Sequence, residues 1–107
     1  MNRVLEDKEY IKEIYSQITK MGGFKLMSWG PSQFLGVIMN DNPTLQFKVQ
    51  GQHFKGHVRI ELDRPRDAYN IHFGKFVKKS YSWTNKKTEE YVYFDQMVDI
   101  IDTYVEK

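Results

Sequence analysis

Residues 44–76 hold three stretches in which apolar and polar side chains alternate, each bounded by turn residues. Such alternation fits an extended chain, in which successive side chains point to opposite sides. Over 44–50, Leu45, Phe47 and Val49 share one face against Gln46, Lys48 and Gln50. Over 57–62, Val58, Ile60 and Leu62 oppose His57, Arg59 and Glu61. Over 69–73, Tyr69, Ile71 and Phe73 oppose Asn70 and His72. The pattern predicts half-buried antiparallel strands with one wet face. A one-residue slip would put every apolar side chain in water, so the register is well specified. A hairpin or bulged loop is expected around Gly51. A turn is expected over 63–67, where Pro65 presets φ and Asp63 and Asp67 bond nearby backbone N–H groups.

The flanks read as helices. Ile11, Ile14, Tyr15 and Ile18 recur at helical spacing, Tyr10 widens the stripe, and a helix is expected over 7–21. Glu6, Asp7 and Glu9 suit its positive end, and Gly22 and Gly23 are expected to stop it. Residues 24–29 then read as a first strand and 33–40 as a second, nearly all apolar and so partly covered on both faces. Asn40, Asp41, Asn42 and Pro43 spell a turn. Residues 77–83 allow a sixth strand, and 84–87 a mobile tip. The final helix is expected from Tyr91 or Phe94 to Val105, with Phe94, Met97, Val98, Ile101, Tyr104 and Val105 as its apolar stripe. The expected fold is α+β: a two-layer sandwich, with an antiparallel sheet of about five strands and an N-terminal and a C-terminal helix on one face, in the order α-β-β-β-β-β-α. A basic polar face is thereby left open.

A chain of 107 residues is read as a single domain, 1–107. It has no cysteine, so disulfides, thiolate metal sites and thiol chemistry are excluded. No apolar run reaches the roughly 20 residues of a membrane span, and residues 1–7 have no apolar signal core. A cytoplasmic protein is expected. The net charge of +2 hides an asymmetry. Cations crowd 44–87, opposed only by Glu61, Asp63 and Asp67. Beyond Thr88 the acids dominate, with Lys107 as the one cation. Such polarity bears on partners.

Gly22 and Gly23 with Leu26 and Met27, then Phe47, then 58–62, 67–75 and 91–95, are spaced along most of the chain. Their order resembles small domains of unknown activity encoded by phages and mobile elements of gut bacteria. The resemblance implies the same fold and a mobile-element origin, and it transfers no functional residue.

Candidate chemistry is sparse. His57 and His72 fall on one sheet face, but with Glu61 as the only carboxylate there they lack a full ligand set, and no metal or other cofactor is expected. Asp63 and Asp67 read as turn caps. No phosphate-cradling glycine loop or nucleophile elbow is present. No nucleophile, base and orienting group can be named together, so an enzyme is not expected. The basic, aromatic segment carries the functional lead: Lys75, Phe76, Lys78, Lys79, Tyr81, Trp83, Lys86 and Lys87, joined by Lys48, Lys55, His57, Arg59 and His72 on the sheet. Cations neutralise phosphates and rings stack on unpaired bases, so a non-enzymatic protein that binds nucleic acid through this face is expected. The alternative is a protein-interaction module that binds a host protein or itself, with His57 and His72 buried on binding and Trp29 or Trp83 as anchor. Neither a membrane nor a small-molecule substrate is expected as a partner.

Overall fold

The computed structural model describes residues 3–107, with side chains from Asp7 onward. The side chain of Glu6, expected near the positive end of the first helix, lies outside the described residues. Helix α1 (Arg3–Ser28) leads into β1 (Ser32–Met39), β2 (Asn42–Gln50), β3 (Lys55–Asp63), β4 (Ala68–Val77) and β5 (Ser82–Val92). A short 3-10 turn (Phe94–Gln96) precedes α2 (Met97–Glu106). The strands form one antiparallel sheet in the order of the chain. This is the expected α+β sandwich with a helix at each end, although one strand differs from expectation.

Residues 24–29 are not a strand. Gly23 adopts φ 52°, ψ −130°, a conformation open in practice to glycine alone. It breaks the first helical segment there, as expected of the two glycines, and a second helical segment follows across the kink to Ser28. Leu26 and Trp29, three apart, turn inward, while Phe24 and Met27 stay 90% and 73% exposed. The fifth strand is supplied by β5 instead. Residues 84–87, expected as a mobile tip, lie in the middle of that strand, and the hairpin tip is 78–81.

The register follows the alternation. Phe47 stands opposite Val58, which stands opposite Phe73. These three side chains, with Val49, Ile60 and Ile71, are fully buried beneath Ile14 and Ile18 of α1 and Met97, Ile101 and Val105 of α2. Burying a side chain of this size stabilises by roughly 1.5–3 kcal/mol. Phe94 does not join the stripe. It lies in the 3-10 turn ahead of α2 and is half exposed. The apolar surplus of β1 is partly covered, as expected, and β1 is an edge strand. Phe34 stacks on Phe47 and meets Tyr15 edge to face, yet Leu35 and Ile38 keep about half their surface in solvent.

Turns set the hairpins. Asn40 and Asp41 both take positive φ, the geometry that matches strand twist in a two-residue loop. The links 64–67 and 78–81 each end in a left-handed residue, Asp67 and Tyr81. Backbone N–H groups of His53 and Phe54 donate to the Val105 carbonyl at 2.9 and 3.1 Å, satisfying the end of α2. Among the described residues no helix is long and apolar enough to cross a membrane.

Candidate nucleic-acid interface

The sheet face away from the helices divides into two halves of different chemistry. Near the β1–β2 and β3–β4 turns it is a buried polar network. Glu61, almost wholly buried, accepts hydrogen bonds from Asn42 Nδ2 at 2.8 Å, from His72 Nε2 at 2.8 Å and from Asn70 Nδ2 at 3.4 Å. With its proton on Nε2, His72 accepts at Nδ1 from the Thr88 hydroxyl at 2.9 Å. Asn85 Nδ2 donates to Thr88 Oγ1 at 2.9 Å, and Trp83 Nε1 donates to Asn85 Oδ1 at 3.2 Å. A buried carboxylate is tolerated only with its lone pairs met in this way. His72 is therefore an internal group, 7% exposed, and not the open surface position expected of it. Among the described residues no cluster of three ligating side chains is present.

The other half is open and cationic. Strands β3 and β4 remain paired only as far as His57 and Gly74. Beyond that point the β4–β5 hairpin leaves β3, and the Phe76 N–H donates to His57 Nδ1 at 3.2 Å instead of to a strand carbonyl. The departure opens a concavity of about 970 Å³. Lys48, Lys55, Lys75, Lys78 and Lys86 line it with His57, Phe76 and Tyr81, and no aspartate or glutamate is in the lining. Burial, followed by the charges of Lys48, Arg59 and Lys75, pushes the His57 imidazole below its ordinary pKa. A neutral His57 is the form that can accept the Phe76 N–H.

Beside the concavity, Arg59 is held on three sides. Its Nε donates to Gln46 Oε1 at 2.9 Å. Its guanidinium carbon lies 4.3 Å from the Trp83 ring centre and 5.8 Å from that of Phe76. Gly74 makes room for this cluster, since a Cβ there would meet the Thr84 carbonyl at 2.2 Å and the Trp83 ring at 2.9 Å. Tyr81, at the hairpin tip, is 79% exposed, with its ring centre 5.9 Å from that of Phe76.

Of the residues predicted from sequence, Lys48, Lys55, His57, Lys78, Tyr81 and Lys86 come together in the concavity, and Arg59 and Trp83 adjoin it. Lys79 lies at the hairpin tip outside the lining. Lys87 is on the opposite face, paired with Phe73, 3.2 Å from Glu89 and over the Tyr104 ring. Trp29 is not a surface anchor: it is fully buried and donates through Nε1 to Asp102 at 2.9 Å. Sequence reasoning missed Gln33 and Leu35 of β1, which form the far wall. Pairing of Leu35 with Gln46 puts the two on one face, a relation visible only once the β1–β2 register is known.

Comparison with protein-family models, with curated proteins and with solved structures gives no match to this chain.

Proposed function

We propose that the protein binds nucleic acid in the lysine-lined concavity and has no catalytic activity of its own. The observation that carries the reading is the lining itself: five lysines from four strands and a hairpin tip, with no carboxylate among them. Like charges gathered around a hollow repel one another, and phosphates relieve that repulsion while releasing their counterions. Arg59, fixed between Gln46 and the Trp83 ring, adds a planar donor suited to a phosphate oxygen. The test is a titration of labelled oligonucleotides at several salt concentrations. Binding is expected to weaken with salt along a log–log slope of about −0.7 to −0.9 per phosphate neutralised. Charge reversal of Lys55 and Lys78 to glutamate is expected to abolish it. No binding at low salt overturns the proposal.

A second reading, docking of a protein partner, is favoured by a different surface. Phe24 and Met27 stand out from α1 beyond the kink, far more exposed than side chains of their size ordinarily are. On that reading, Phe24→Ser and Met27→Ser abolish a stoichiometric complex and the lysine reversals leave it intact.

A further inference from the structure

Resting on the nucleic-acid reading above, we propose that the ligand is an unpaired strand, with a base stacked on Tyr81 while phosphates of the same short stretch enter the lysine-lined hollow. Two observations point there. The first is the reach of the hollow. Its volume of about 970 Å³ is that of a ligand pocket, and Lys48 lies on its sheet floor while Lys78 and Lys86 come from the hairpin. Phosphates of a duplex lie on a convex surface and meet a rim more readily than a floor. A single strand is narrow enough to put one phosphate on the floor and the next at the rim.

The second is the placement of the rings. Tyr81 has φ 52°, a left-handed conformation that bulky side chains rarely adopt, and it ends the four-residue turn 78–81 with its ring 79% exposed. A strained backbone that holds an aromatic ring in water beside lysines is an arrangement packing alone does not reward. Phe76 meets Tyr81 at 77° between planes, and Trp83 carries Arg59 over one face. In a duplex both faces of each base are covered by its neighbours. Only an unpaired base has a face free to lie on a ring.

The experiment compares one short mixed-sequence oligonucleotide, as DNA and as RNA, with the same strand annealed to its complement, for the wild type and for Tyr81→Asn. Asparagine accepts left-handed backbone, so the hairpin is kept and the ring removed. The single strand is expected to bind about tenfold tighter than the duplex. Tyr81→Asn should lose about tenfold in single-strand affinity with the salt slope unchanged, because a stacking contact releases no counterion. Equal affinity for single strand and duplex overturns this proposal and leaves the nucleic-acid reading standing. A single-strand preference untouched by Tyr81→Asn overturns the stacking. Failure of both ligands at low salt overturns both readings.

Discussion

His57 shows how one side chain shapes the site. Its Nδ1 accepts the N–H of Phe76 where the β4–β5 hairpin parts from β3, and it sits among Lys48, Arg59 and Lys75. Burial and those three cations lower its pKa in the folded protein. The unfolded chain, near an ordinary value of about 6.5, then binds more protons than the folded one. The stability His57 contributes is therefore complete above that value and is lost as the pH falls toward the lower folded pKa. Urea unfolding followed from neutral to mildly acidic pH is expected to show the decline, and a His57→Asn variant to lack that part of it. A phosphate beside the ring acts in the opposite sense, because an anion favours imidazolium. His72 carries the same residue type with another fate. Sequence alternation put both histidines on one face, and it did so correctly. Alternation reports parity, not exposure, and a polar residue facing two hydrogen-bonding neighbours, as His72 faces Glu61 and Thr88, reads the same as one facing water.

At the scale of elements, the hairpin β4–β5 decides the site. Lys86 is the extra residue of a bulge between Asn85, opposite Gly74, and Lys87, opposite Phe73, so Lys86 and Lys87 belong to different surfaces although they are neighbours in the chain. Lys86 lines the concavity; Lys87 lies over Tyr104 of α2. Lys86→Glu is expected to weaken oligonucleotide binding several-fold at low salt, and Lys87→Glu to change it less than about twofold, each measured by the same titration. Most elements were legible before the fold was seen: β2, β3 and β4 from period-two patterns, α2 from its stripe, the β1–β2 turn from Asn40 and Asp41. The end of α1 was not. Two consecutive glycines ordinarily close a helix, and Gly23 does break this one, but a second helical segment follows in place of the expected strand, and Trp29 at its end is drawn into the core.

At the scale of the molecule, Trp29 ties the layers together. Its carbonyl accepts the Gln50 N–H at 2.7 Å, joining the end of α1 to β2, and its Nε1 donates to buried Asp102 at 2.9 Å, joining it to α2. Trp29→Phe keeps most of the apolar volume and leaves the carboxylate without that donor. The expected cost is about 1–3 kcal/mol, read as a lower midpoint in urea or heat, with oligonucleotide affinity unchanged because neither the Trp29 ring nor Asp102 is in the lining of the concavity. The charge asymmetry of the chain acquires a place at this scale as well. Five of the cations of 44–87 converge where the hairpin leaves the sheet, while Asp99 of α2 pairs with Lys25 of α1 at 2.8 Å on the helical layer.

The sequence by itself determined what short-range physics dictates. The period of apolar residues set strand and helix, the parity of each strand residue set its face, and residues with special backbone freedom set most turns. From these came the α+β sandwich and most of the basic surface. Only the tertiary structure decided the rest. It chose which half of the polar face would close into the Glu61–His72 network and which would open. It put β1 at an edge and brought Gln33 and Leu35 opposite the hairpin. It turned Lys87 away and buried Trp29. Each of these depends on where one element stops pairing with its neighbour. That is fixed by packing between residues far apart in the chain, which no local pattern records.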